Sequence, residues 1–214
     1  MQHRIVCANR EEWLERRLDA GIGGSEAAAC CGLSPFMTPI ELWQLKTRRK
    51  KAKDLSENEA VSKGVRFEPA LRGIFIAMHP ELTVEYHPFD IISSDELPFA
   101  FATLDAEFVD ANGQSGIVEL KTAAPQKKSD WDKWANGCIP NNYYIQVCHQ
   151  MISTGYDRAF LLAALFSLSG DITIREYEFY RKDCEEDISW IIKQETNMWK
   201  CIQQDKLPPA ILTI

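Results

Sequence analysis

Asp105, Glu119 and Lys121 are the three residues of this 214-residue chain whose types and spacing most plainly suit hydrolytic chemistry. Carboxylate oxygens suit a hard ion such as Mg²⁺, which bridges two acids, lowers the pKa of a bound water and aims it at a phosphodiester. An ammonium beside that water stabilises charge developing on the phosphoryl group. Glu119 and Lys121 are two residues apart, so on a strand both project from one face. The competing explanation is plain: acid-x-Lys is also what an exposed strand edge with alternating charges looks like. Ile117-Val118 before the acid and Leu120 between acid and lysine point to a strand buried on one face. A charged pair there is hard to explain as solvation. The expectation is a nuclease centre.

The elements that must position these residues come next. Phe101 to Asp110 and Ser115 to Thr122 read as two strands joined by Ala111-Asn112-Gly113-Gln114, whose Asn-Gly pair tolerates the positive φ of a hairpin turn. This hairpin carries Asp105 to the neighbourhood of Glu119. Upstream, Asn9 caps a short helix with Trp13, Leu14 and Leu18 turned inward, and Gly21-Ile22-Gly23-Gly24-Ser25-Glu26 opens a second helix over Ala27 to Cys31. Free N–H groups, the Ser25 hydroxyl and nearby Arg17 could hold a phosphate there, although an ordinary capped turn has the same composition. Thr38-Pro39-Ile40-Glu41 is a capping box that starts a third helix.

A long helical pattern covers Glu59 to Met78, with Val61, Val65, Phe67, Leu71, Ile74, Phe75 and Met78 as its apolar face. Pro69 predicts a kink or a new helix just after Glu68, and Gly64, one turn before Glu68, allows close approach of another backbone or a ligand. A glutamate at position 68 is ordinarily surface charge. Residues 82–86 and 89–92 read as strands, 131–136 as a short helix and the stretch after Pro140 as a helix with Gln146 and Gln150 one turn apart. Residues 156–168 and 172–180 follow as two strands, the first apolar enough to be central, and 184–203 as a closing amphipathic helix.

Composition bounds the rest. A chain 45% hydrophobic and 26% charged fits one α/β domain with a sizeable core, spanning residues 1–214, with helices over 9–51 and a core over about 57–205. Absence of a long apolar run or a basic-then-apolar leader predicts a cytoplasmic protein without a membrane anchor. Seven cysteines without a C-x-x-C pair argue against a disulfide framework and a zinc ribbon, and predict mostly buried thiols. Net charge −7 argues against a uniformly basic nucleic-acid binder, but Arg16-Arg17, the run from Lys46 to Lys53 and Lys127-Lys128 are local basic patches. The 46–53 run reads either as a DNA contact or as a solvated helix end favoured by the macrodipole.

Taken in order, Trp13-x-x-x-Arg17, Gly21 to Glu26, Gly64-Val65-x-Phe67-Glu68, Asp105, Glu119-Leu120-Lys121 and Tyr143 to Val147 resemble the phage lambda exonuclease family, the YqaJ-type viral recombinases. The resemblance runs from about residue 13 to residue 155. It implies a PD-(D/E)xK restriction-endonuclease-like core, a central mixed β-sheet flanked by helices. It further implies a Mg²⁺-dependent 5′-to-3′ exonuclease on duplex DNA ends, with Mn²⁺ as substitute and two ions per site. Partnership with a single-strand annealing protein, a homotrimeric ring and a phage or prophage origin in a bacterial host belong to the same implication. By position, Asp105, Glu119 and the Leu120 carbonyl would hold one metal and Glu68 would help with a second. Lys121 would orient or deprotonate the water, Gln146 would support the centre, and Arg17 with Ser25 would hold the terminal 5′-phosphate. The chain departs from the family in having Thr103-Leu104 before the first acid, in a longer connection to Glu119, and in one extra residue between Arg17 and Ser25. A structure- or sequence-specific endonuclease with the same core, and a DNA-end-binding module with a decayed centre, are the alternatives.

Overall fold

Alternation along one strand dictates the architecture. In Ser115–Ala123 (β7), Val118 and Leu120 fall on one face and Ile117 and Glu119 on the other, and each face is covered by helices. In a computed structural model, which describes residues 1–55 and 57–209, β7 is the middle strand of a five-stranded sheet. Its neighbours are Ala106–Val109 (β6), beyond it Thr83–Glu85 (β3), and on the other side Arg158–Phe166 (β8) and Ile172–Tyr180 (β9). β7 and β8 are parallel and the remaining pairs antiparallel, so the sheet is mixed. The apolar run of β8 is buried on both faces, as expected of a strand with helices above and below.

Helix Glu59–Met78 (α4) packs Leu71 and Phe75 against Val118, Leu120, Phe160 and Leu162. Helices Asn141–Thr154 (α6) and Glu185–Gln203 (α7) cover the opposite face with Ile145, Val147, Met151, Ile188 and Ile191. A second, four-stranded sheet combines Gln2–Val6 (β1), Asp90–Ser94 (β4), Ala100–Ala102 (β5) and Ile22–Gly23 (β2) in the order β1-β4-β5-β2. Two polar ties, one partly exposed at Arg4 and one buried at His149, join it to the rest. Arg4 reaches Asp90 at 2.8 Å and Glu107 of β6 at 2.7 Å. His149 of α6 meets Glu195 of α7 through Nδ1 at 2.7 Å and the Phe101 carbonyl of β5 through Nε2 at 2.9 Å.

Several expectations need correction. The stretch 101–110 is not one strand: it breaks at Thr103-Leu104-Asp105, where the chain crosses from the four-stranded to the five-stranded sheet. The two strands expected before it occupy 83–85 and 90–94 and belong to different sheets. In helix Arg10–Asp19 (α1), Leu14 is 42% and Leu18 51% exposed, so they do not point inward; only Trp13 packs, against Phe89. α4 runs unbroken through Pro69. The Val65 carbonyl that a residue-69 N–H would have bonded belongs to a residue 65% exposed, where water can satisfy it. Val61, Ile74 and Met78 are exposed as well, leaving Leu71 and Phe75 as the buried anchors of that helix. The second short helix is Gly24–Cys30 (α2), the third Pro39–Lys46 (α3), and the expected 131–136 helix lies earlier, at Lys128–Asp132 (α5). The cysteines are free; five are buried, Cys201 is half-buried and Cys138 is exposed.

Candidate active site

Pairing between β6 and β7 stops at Ala106 opposite Val118, which frees the edge of β7 beyond that point. The Leu120 N–H, lacking a ladder partner on that side, donates to Asp105 Oδ2 at 2.8 Å and fixes the carboxylate beside Glu119. Glu119 is 1% exposed and lies on the α6 face of the sheet. Gln146 Nε2 donates to its Oε1 at 2.6 Å, Gln150 Nε2 to its Oε2 at 2.5 Å, and the Lys121 ammonium pairs with Oε1. A buried carboxylate satisfied at both oxygens is a rigid one. Gln150 was not singled out for a role by sequence reasoning, although its spacing of four from Gln146 on one helix face is the signal that would have found it.

The electrostatics match this crowding. Burial raises the Asp105 carboxyl well above the ordinary range, the Glu119 charge adds to that, and Lys121 and the Leu120 N–H oppose it. For Lys121, burial pulls the ammonium down most, yet the charges of Glu119 and Asp105 and the hydrogen bond outweigh it, so its pKa is raised. The ammonium form is thus favoured by the two acids beside it.

Glu68 comes from a different element, and its charge lies near enough to Asp105 to help raise that carboxyl. It belongs to α4, on the other side of the sheet, and its Oε1 accepts from Arg72 Nη2 at 2.6 Å. Among the described residues no three His, Cys, Asp or Glu side chains converge as a ready-made coordination shell. The structure thus brings together Asp105, Glu119, Lys121 and Gln146, and leaves Glu68 linked to them through Arg72, whose Nε donates to the Asp105 carbonyl at 3.1 Å. Gly64 does allow close approach: a Cβ there would stand 3.3 Å from Thr122 Oγ1 of β7.

At the other end of the crossing, Arg17 lies over the Trp13 ring at 4.4 Å and reaches Thr103 Oγ1 only at 3.5 Å. Desolvation lowers its pKa and, among the described residues, no carboxylate is in salt-bridge contact with it. Gly23 and Gly24 start α2 beside it; a Cβ on Gly23 would come within 2.9 Å of the Phe101 ring and 3.6 Å of Arg17 Nη2. Ser25 is exposed in the first turn of α2, and Glu26 accepts from the Gly23 N–H at 2.9 Å while pairing with Lys46 at 2.7 Å. The basic run is largely spent on protein carboxylates: Arg48 pairs with Asp19, Arg49 with Asp205 and Lys50 with Glu41.

The match to known proteins is extensive. A model of the YqaJ-like viral recombinase domain matches residues 12–157. The chain belongs to the YqaJ-like viral recombinase family. It is 30% identical over 197 residues to the protein YqaJ of Bacillus subtilis strain 168, covering 89% of this chain and 56% of that relative, so it spans just over half the relative's length. Its fold is similar to an alkaline exonuclease from Laribacter hongkongensis, with TM-score 0.63 and 18% identity over 91% of this chain and 93% of the other. A phage-related exonuclease from Haemophilus somnus 129PT superposes with TM-score 0.55 and 13% identity, over 86% of this chain and 96% of that one. These likenesses show the mixed α/β fold of PD-(D/E)xK type. Among the described residues of this YqaJ-family chain, no helix is long and apolar enough to cross a membrane.

Proposed function

We propose that the chain is a divalent-metal-dependent deoxyribonuclease that degrades one strand of linear duplex DNA from its 5′ end and leaves 3′ overhangs for annealing in phage-type recombination. The observation that carries this reading is the Asp105–Glu119 pair: two adjacent acids, one almost fully buried, with a lysine beside them and an Asp105 carboxyl whose pKa burial and its neighbour raise. Apposed carboxylates in a desolvated site attract a cation, and an all-oxygen donor set suits Mg²⁺ or Mn²⁺. Asp105, Glu119 and the Leu120 carbonyl would hold it, with Glu68 available from α4 for a second ion. When bound, such an ion supplies Lewis acidity and a water of lowered pKa.

The chain's own residues do the rest. Gln146 and Gln150 hold Glu119 in one orientation, Lys121 offers its charge to the phosphoryl oxygens, and Arg17 with Ser25 and the α2 N–H groups binds the terminal 5′-phosphate. The family relationship supports a recombination context; a single-strand annealing partner and a homotrimer belong to the same proposal. The test is digestion of 5′-phosphorylated linear and closed circular duplex with and without Mg²⁺. Mononucleotide release from the linear form alone, only with Mg²⁺, is the expected result; nicking of the circle would make this an endonuclease, and no divalent-dependent cleavage would end the nuclease reading.

A further inference from the structure

Asp105 lies where neither sheet holds the backbone. Residues 103–105 have left β5 and not yet entered β6, so the peptide that carries the first acid lacks a ladder on either side. Two contacts fix it: the Leu120 N–H on the side chain, and Arg72 Nε on the main-chain carbonyl. The same guanidinium donates Nη2 to Glu68. Its plane is backed by the Tyr86 ring, with Cζ 3.6 Å from the ring centroid, and its side chain is only 15% exposed. A guanidinium with two donors engaged and one face stacked is a fixed fork rather than a mobile cation.

We infer that Arg72 is a positioning residue of the acid centre: by joining the Glu68 carboxylate on α4 to the Asp105 carbonyl, it sets where both acids stand relative to Glu119. This rests on the proposal that Asp105 and Glu119 hold a divalent ion. Charge and placement make opposite forecasts here. Three carboxylates face two cations, Lys121 and Arg72, so removing Arg72 makes the site more negative and, on Coulombic grounds alone, a better cation binder. Loss of placement weakens binding instead, and outer contacts of this kind are typically worth about ten- to hundredfold in metal affinity.

The experiment measures Mn²⁺ affinity of DNA-free protein by the electron paramagnetic resonance signal of free Mn²⁺, alongside thermal melting without metal. Arg72→Gln is expected to bind Mn²⁺ about ten- to hundredfold more weakly than wild type, despite its extra negative charge. Arg72→Lys, which keeps the charge but not the fork, is expected to be weakened as well and serves alone if the Gln variant does not fold. Equal or tighter Mn²⁺ binding by the Gln variant overturns the inference. Wild-type affinity in the Lys variant also overturns it, as does a lowered melting temperature with unchanged affinity. Asp105→Asn separates the two levels: if it binds Mn²⁺ as wild type does, the acid-centre reading itself fails, and the role of Arg72 with it.

Discussion

Glu119 in the acid centre and Arg17 beside the start of α2 are held in opposite ways. Glu119 is almost wholly buried with both oxygens taken, by Gln146, Gln150 and Lys121. Arg17 rests on an aromatic face, touches one hydroxyl at 3.5 Å and, among the described residues, keeps most of its donors unspent. A group that must present the same geometry at every turnover gains from being fully bonded before substrate arrives. A group that must take hold of an anion needs donors in reserve, and a desolvated guanidinium close to an α-helical start has them. Stiff centre and open anchor are therefore distinguishable by what each loses on mutation.

The largest effect belongs to the centre. Asp105→Ala or Glu119→Ala should lower cleavage by about a thousandfold or more, the equivalent of roughly 4 kcal/mol of the stabilisation a metal-assisted site supplies, with DNA affinity largely retained. Near-wild-type turnover in single-turnover assays would remove the residue from the site. Lys121→Ala comes next, with a loss of about a hundred- to thousandfold in kcat and little change in KM. Arg in its place is not expected to restore activity, because a planar fork does not fit where an ammonium sits between Glu119 and the Tyr143 ring. A Lys121→Arg enzyme at full rate would refute that account.

Gln150→Ala tests the stiffness directly. It frees Glu119 Oε2 in a buried setting, and activity should fall about ten- to hundredfold; an unchanged rate would mean that Gln146 and Lys121 suffice. At the anchor, linear duplex with 5′-phosphate ends should be degraded faster than the 5′-hydroxyl form by about ten- to hundredfold, from roughly 1.5–3 kcal/mol of charged hydrogen bonding. Arg17→Ala should narrow that ratio more than it slows the hydroxyl substrate. Equal rates on both ends in the wild type would put the phosphate site elsewhere.

The smallest effect lies between the two regions, at His149. Burial lowers its pKa, but the charge of Glu195 and the bonds to Glu195 and the Phe101 carbonyl outweigh it and raise the folded-state value. A raised folded pKa means that the folded state binds the proton more tightly than the unfolded chain. The stabilisation is complete below about pH 6.5 and is lost as pH rises through the folded value, by at most about 1.4 kcal/mol per pH unit. Melting temperatures across that range should fall more steeply for wild type than for His149→Gln; parallel curves would show that the His149–Glu195 pair does not titrate on unfolding.

Local signals explain what was legible. The Asn112-Gly113 turn, the Thr38 capping box and the two-residue spacing of Glu119 and Lys121 each state their structure within a few residues, and all three hold. The four-stranded sheet was invisible because β1 pairs with β4, some ninety residues on, through the mixed and largely exposed sequence Gln2–Val6. The break at Thr103–Asp105 was hidden by its own flanks, since β-forming residues on either side of Leu104 look continuous although they serve different sheets. The tie between Glu68 and Asp105 was not legible, because it runs through Arg72, four residues on along the same helix, to a main-chain carbonyl 33 residues further on in the chain.

That break also sets a length. Thr103 stands beside Arg17 and Asp105 stands in the acid centre, two residues on, so their Cα atoms are at most about 7 Å apart even in a fully extended chain. On the proposed role of Arg17, this nearness keeps the grip on the terminal phosphate close to the acids, in keeping with release of mononucleotides, and long oligonucleotide products would contradict it. On that reading the crossing between the sheets is what keeps grip and acids a short step apart.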